Sequence, residues 1–260
     1  MRSLWSQWAY IRQALSRNKA IFLFDFDGTL APITADPSRA RLPETTRKTL
    51  ELLARSSRVT LGIVSGRKMS ELRSLVRLKD IHYIGSHGME WMRPGGHRQL
   101  QATPAQCRRM RRIASRLQHA LRGLPGILVE RKVASVAVHF RKAKPGDVRA
   151  AVAEVHQAWQ QIPRLKLLRG KKVVELLPAG ANDKGAAVRT LLARLRRRRL
   201  LLAAYFGDDA TDETAFRCLG KNDLAVLVGR PRRTHARFYL RSPGQISKFL
   251  EQLCKIILCQ

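Results

Sequence analysis

Short apolar runs recur along the chain, separated by amphipathic stretches. The runs are Ile21–Phe26, Val59–Ser65, Ile81–Gly85, Leu201–Phe206 and Leu224–Val228. Each is brief and bounded by turn residues, which predicts a buried strand. Between them, Glu44–Arg55, Met69–Arg77, Lys184–Leu195 and Thr211–Leu219 carry apolar residues at helical spacing. Strands alternating with helices predict βαβ units, hence an α/β fold around a Rossmann-like parallel sheet with right-handed crossovers.

The middle of the chain has another pattern. Pro104–Leu121 and Pro145–Gln160 predict helices, and Ile127–Glu130, Val133–Phe140, Leu165–Leu168 and Val173–Leu177 predict strands. Val133–Phe140 alternates, with Val136, Val138 and Phe140 on one side and Ser135, Ala137 and His139 on the other. That is the signature of an antiparallel sheet with one open face. Residues 101–181 are therefore expected to form an inserted α+β domain, and residues 1–100 and 182–260 one α/β core. No internal repeat is visible. Pro243–Ile257 places Ile246, Phe249, Leu250, Leu253 and Ile257 on one helix face, expected to dock on the core. At the N-terminus, Trp5, Trp8, Tyr10 and Ile11 among polar residues predict an amphipathic helix packed on the body. The segment lacks the apolar centre and cleavage site of a signal peptide.

Composition narrows the class. The chain has 260 residues and is 45% hydrophobic, enough for a sizeable core. It has no apolar run of about eighteen residues, so no membrane span is expected. Cys107, Cys218, Cys254 and Cys259 show neither metal-ligand spacing nor a disulfide framework, which suits a cytoplasmic setting. Cys254 and Cys259 would turn to different faces of a helix and only pack. The charge is +31, from 50 Lys and Arg against 19 Asp and Glu, with pI near 11.5. Such a field attracts polyanions. The densest clusters, Arg194–Arg199 and Arg108, Arg109, Arg111 and Arg112, lie in predicted helices and read as solvated faces. Without zinc spacing, aromatic platforms or a basic zipper, nucleic acid is not the favoured partner. Nothing in the pattern sets an oligomeric state.

The chemistry concentrates where the apolar runs end. Ile21–Leu30 reads IFLFDFDGTL, so Asp25 and Asp27 should project to one side at a strand's carboxyl end, where open α/β sheets bind ligands. Two neighbouring carboxylates repel, so a cation sits between them or one holds a proton. Further stations are Ser65-Gly66-Arg67, Gly85-Ser86-His87-Gly88, Asn182-Asp183-Lys184-Gly185 and Gly207–Glu213. Together they supply what phosphoryl transfer needs. Asp25 and Asp208 are hard oxygen ligands for Mg²⁺. The Ser65 hydroxyl and Lys184 ammonium can hold phosphoryl oxygens, and Asp27 can donate and then accept a proton. Of Asp209 and Asp212, one would join the metal shell or orient Lys184 and the other cap the next helix.

These stations resemble the haloacid dehalogenase superfamily: Asp25–Leu30 its first motif, Ser65 the second, Lys184 the third and Gly207-Asp208-Asp209 the fourth. The resemblance implies that Asp25 is a nucleophile forming a phosphoaspartate and that residues 101–181 are a cap domain. The ordered set Ser65-Gly66-Arg67, Gly85–Gly88, Glu130-Arg131-Lys132, His139-Phe140-Arg141, Lys172–Pro178, Lys184-Gly185 and Gly207–Glu213 is similar to the trehalose-6-phosphate phosphatases. That similarity implies a sugar phosphate substrate. It implies that Ser65, Gly66 and Lys184 surround the phosphate, and that Asp25, Asp27, Asp208 and Asp209 hold Mg²⁺. It further implies that Arg67, His87, Glu130, Lys132, His139 and Glu175 bind the substrate, the cap residues taking its hydroxyls. The nearest alternative is the same chemistry on glucosyl- or mannosyl-3-phosphoglycerate. A basic nucleic-acid-binding protein on a degenerate phosphatase fold is the different-class alternative, and the complete Asp25, Asp27, Lys184, Asp208 set argues against it.

Overall fold

The computed structural model describes residues 1–34, 36, 39–170, 172–196 and 201–258. Arg197–Arg199 of the basic run, and Cys259, lie outside the described residues. The strands are β1 (Arg2–Ser3), β2 (Lys19–Phe24), β3 (Val59–Val64), β4 (His82–Gly85), β5 (Glu90–Met92), β6 (Arg98–Leu100), β7 (Leu128–Arg131), β8 (Val136–His139), β9 (Leu165–Gly170), β10 (Val173–Pro178), β11 (Leu201–Gly207), β12 (Leu224–Val228) and β13 (Phe238–Leu240). The helices are α1 (Trp8–Arg17), α2 (Glu44–Ala54), α3 (Met69–Val76), α4 (Pro104–Ala120), α5 (Pro145–Gln161), α6 (Lys184–Arg196), α7 (Glu213–Arg217) and α8 (Pro243–Leu258). They form two compact units, Met1–Gln99 with Asn182–Gln260, and Leu100–Ala181. None of the described helices is long and apolar enough to cross a membrane.

The first unit is built on a nine-stranded sheet in the order β1-β13-β12-β11-β2-β3-β4-β5-β6. Neighbours from β1 to β4 run parallel, and β5 returns antiparallel to β4. Central β2 is apolar on both sides because both are covered. Phe22 and Phe24 join the layer of α1, α2, α3 and α8, while Ile21 and Leu23 join that of α6 and α7. Phe249 of α8 anchors the first layer, with ring centroids 5.9 Å from Trp8, 6.0 Å from Phe22 and 5.4 Å from Phe206. Each such aromatic pair adds about 0.5–1.5 kcal/mol beyond its buried area. The N-terminal segment therefore does pack on the body. It opens, however, with β1 paired to β13 and a 3₁₀ turn at Leu4–Gln7 before α1.

The second unit is an antiparallel sheet, β7-β8-β10-β9, with one face on α4 and α5. Val136, Val138, Val174 and Leu176 meet Met110, Ile113, Leu117 and Val155 there. Thr103 and Gln106 form a capping box ahead of α4, with Pro104 in its first turn. The register pairs Glu130 with Ala137 and Ala137 with Glu175. Glu130, His139 and Glu175 thus share the face turned away from the helices.

Besides the end of β2, two predicted elements change. The strand expected at Val133–Phe140 shortens to Val136–His139, because Lys132 N–H bonds to Ser135 C=O to turn the β7–β8 hairpin. The helix expected at Thr211–Leu219 divides into a 3₁₀ turn, Ala210–Asp212, and the short α7, since Asp212's carboxylate accepts the N–H groups of Asp208 and Asp209. Strands β5, β6 and β13, with three residues each, carried too little pattern to be foreseen.

Candidate active site

The parallel strands end side by side, and their exits carry the acids. Phe24 of β2 registers with Phe206 of β11 and Ile63 of β3. Strand β2 stops at Phe24, two residues before the predicted end, and Asp25 N–H still reaches Phe206 C=O at 2.8 Å. The chain then turns tightly, with Leu30 and Ala31 N–H on Phe26 C=O. Gly28 makes that turn at φ +83°, and a Cβ there would lie 2.2 Å from an Asp208 carboxylate oxygen. Glycine is required both for the backbone and for the close approach of Asp208.

Lys184, the first residue of α6, is buried beneath these exits. Its ammonium donates to Asp25 Oδ1 at 2.7 Å and to Asp212 Oδ1 at 2.8 Å. Tyr205 of β11 donates to the same Asp212 oxygen at 2.6 Å, while Asp212 Oδ2 accepts the Asp208 and Asp209 N–H groups at 3.0 and 2.9 Å. Asp212 is wholly buried and saturated by these donors, so it orients Lys184. Asp209 instead caps its 3₁₀ turn, accepting Ala210 N–H. That separates the two roles left open between Asp209 and Asp212.

Electrostatics follow from the burial. Desolvation raises the Asp25 pKa well above its ordinary value, Lys184 opposes this, and Asp212, Asp208 and Asp27 add to it. Burial alone would lower the Lys184 pKa, but Asp212 and Asp25 outweigh it and keep the ammonium charged. Tyr205 is pushed up by burial and then by Asp212, so it remains a neutral donor.

Among the described residues, Asp25, Asp208 and Asp212 form the acidic group whose ligand atoms lie within 4.8 Å of one another. Against one lysine, three carboxylates leave excess negative charge that a hard divalent cation would balance. Because Asp212 is saturated, Asp25 and Asp208 are the residues that fit such an ion. The structure does not bring the expected ligands Asp27 and Asp209 into this group. Both Asp27 oxygens accept from Arg67, each at 2.7 Å, and Asp209 serves its turn.

Ser65 follows β3 and is buried; its hydroxyl accepts Arg67 N–H at 3.2 Å. Gly66 leaves room for His87, whose Nε2 would stand 2.4 Å from a Cβ there. His87 N–H bonds to Ser65 C=O at 3.0 Å, and the residue adopts φ +55°. Arg67 is buried against Asp27 and Glu71 rather than presented to solvent. In the second unit, Lys132 and Glu175 form a buried ion pair of 2.8 Å, Ser135 donates to Glu175, and His139 lies 2.9 Å from Glu130. Sequence reasoning missed Tyr205. Its signal was a phenol in an otherwise apolar buried run, where the hydroxyl must find a partner.

Acids at neighbouring parallel-strand exits, bridged by a helix-start lysine, give this chain the fold of the haloacid dehalogenase-like hydrolases. One such hydrolase from Bacteroides thetaiotaomicron superposes with a TM-score of 0.65 at 16% identity, over 91% of this chain and 100% of that one. Residues 23–243 match the trehalose-phosphatase family, and the chain belongs to it. It is 36% identical over 248 residues to trehalose-phosphate phosphatase of Mycobacterium tuberculosis, covering 93% of this chain and 62% of the relative. It is 33% identical over 253 residues to trehalose-phosphate phosphatase B of Arabidopsis thaliana, covering 92% and 67%. The chain thus spans less than two thirds of the mycobacterial relatives' length. The C-terminal domain of Candida albicans trehalose-6-phosphate phosphatase shares the fold, with a TM-score of 0.81 at 23% identity over 95% of this chain and 96% of that one.

Proposed function

We propose that the protein is a Mg²⁺-dependent phosphatase converting trehalose 6-phosphate to trehalose and phosphate. The observation that carries this reading is Lys184 bridging buried Asp25 and Asp212, with Asp208 beside them. Family membership supports the substrate. Asp25 attacks phosphorus in line and forms a phosphoaspartate, while the bond to the sugar oxygen breaks and Asp27 protonates that oxygen. Water then attacks the phosphoaspartate, Asp27 takes its proton, and phosphate leaves with Asp25 restored. Lys184 and Ser65 bind the phosphoryl oxygens throughout. Mg²⁺ held by Asp25 and Asp208 would supply charge neutralisation for those oxygens. We read residues 101–181 as the substrate-selecting insertion, with Glu130, Lys132, His139 and Glu175 recognising the sugar hydroxyls. The free thiols Cys107 and Cys218 suit a reducing, cytoplasmic setting.

The net charge of +31 favours one second reading, a glycoside phosphate bearing an added carboxylate. Phosphate release from a panel of trehalose 6-phosphate, glucose 6-phosphate and glucosyl- and mannosyl-3-phosphoglycerate tests both. The highest kcat/KM on trehalose 6-phosphate supports the first reading. A higher value on either phosphoglycerate replaces it.

A further inference from the structure

The two aspartates of the first turn each have their own cation: Asp25 has Lys184, and Asp27 has Arg67. Arg67 leaves β3 two residues after Ser65 and reaches across to the exit of β2. Its Nε and Nη2 donate to the two Asp27 oxygens at 2.7 Å each, the planar fork matching the carboxylate. The guanidinium is itself fixed. Its Nη1 donates to Glu71, four residues on and in the first turn of α3, and it lies over the Phe26 ring at 5.6 Å. Arg67 is 8% exposed, whereas the side chain of Asp27 is 42% exposed. A half-exposed carboxylate on a turn samples several rotamers unless something rigid holds it.

We propose that Arg67 is the positioning residue for Asp27 rather than a group that binds sugar or phosphate, an inference that rests on Asp27 being the proton donor and acceptor. Glu71 and Phe26 hold the guanidinium, and the guanidinium holds the Asp27 carboxylate beside Asp25. Lysine at this position would keep the charge but lose the fork, since an ammonium is a point donor.

The test follows leaving-group release in single turnovers, before the hydrolysis step that both substrates share. It compares trehalose 6-phosphate with p-nitrophenyl phosphate, whose nitrophenolate leaves without a proton; kcat and KM are the maximal rate and half-saturation of that release. Asp27→Asn should lose about 10²- to 10⁴-fold on the sugar phosphate and far less on the aryl phosphate. Arg67→Lys should lower kcat on the sugar phosphate about 10- to 100-fold, with KM changed less than about threefold and a smaller loss on the aryl phosphate. The double variant should be no slower than Asp27→Asn. Glu71→Gln, on a half-exposed side chain, should shift kcat the same way by less, and it keeps the test open if Arg67→Lys unfolds. A raised KM with kcat intact would make Arg67 a substrate-binding group and overturn the proposal. Equal losses on the two substrates, or losses that multiply in the double variant, would overturn it too. If Asp27→Asn itself loses both substrates equally, the acid/base reading fails and takes this proposal with it. Leaving-group dependence in Asp27→Asn but not in Arg67→Lys overturns the proposal alone.

Discussion

Asp212→Asn is the most exacting perturbation of the buried network. Oδ1 accepts from Lys184 and Tyr205, and Oδ2 accepts from two backbone N–H groups. Asparagine keeps the shape but carries one NH₂ and no charge. Whichever way it turns, its NH₂ faces two donors, and Lys184 keeps one buried anion of the two. Breaking a buried ion pair by neutralising one partner costs about 3–5 kcal/mol. At about 2–4 °C per kcal/mol for a chain of this size, the melting temperature should fall by roughly 6–20 °C. Turnover should fall as well, because Lys184 loses the contact that aims it at Asp25. Differential scanning calorimetry with and without Mg²⁺, alongside steady-state phosphate release, reads both. A variant melting within about 2 °C of wild type, with unchanged kcat, would refute the claim that Asp212 anchors Lys184.

Other outcomes follow from the same geometry. Gly28→Ala meets the Asp208 carboxylate at 2.2–2.8 Å and must displace it, so activity should fall about 100-fold while stability drops only about 1–2 kcal/mol; kcat compared with the melting temperature checks this. The Asp25 pKa is raised in the fold, so without metal its contribution is fully present below the ordinary value near 3.8 and is lost as pH rises through the raised one. The stabilisation by saturating Mg²⁺ should therefore grow over that rise, and a pH-independent increment in melting temperature would contradict it. Glu175→Gln should lower kcat/KM on trehalose 6-phosphate about 10- to 150-fold through lost charged hydrogen bonds, and should leave p-nitrophenyl phosphate nearly untouched.

The five core strands were legible because each is largely buried on both faces and reads as a predominantly apolar run. β1, β5, β6 and β13 are two or three residues long and carry no period. The ends of β2 and β8 shifted for a local reason: hydrogen bonds of the following or preceding turn claim residues whose side chains still alternate like a strand. In the site, Asp25, Lys184 and Asp208 were legible as motif residues and do come together. The division of labour among the remaining acids was not. Asp209 accepts from the N–H of the next residue, Ala210, but the donors that set Asp27 and Asp212 apart, Arg67 and Tyr205, are brought to them by tertiary packing. The basic clusters were read as solvated faces, and Arg108, Arg111 and Arg112 are exposed on α4. Arg194 and Arg196 are exposed as well, Arg194 lying over the Trp91 ring at 5.4 Å and Arg196 pairing with Asp223.

The central claim is that Asp25 carries the phosphoryl group during turnover of trehalose 6-phosphate. Acid quenching in the first turnover of substrate labelled on phosphorus, followed by peptide mapping, tests it directly. The account predicts acid-stable, base-labile label on the peptide containing Asp25, and none in Asp25→Asn, which should release no phosphate. Turnover without protein-bound label, or label retained in Asp25→Asn, would contradict it.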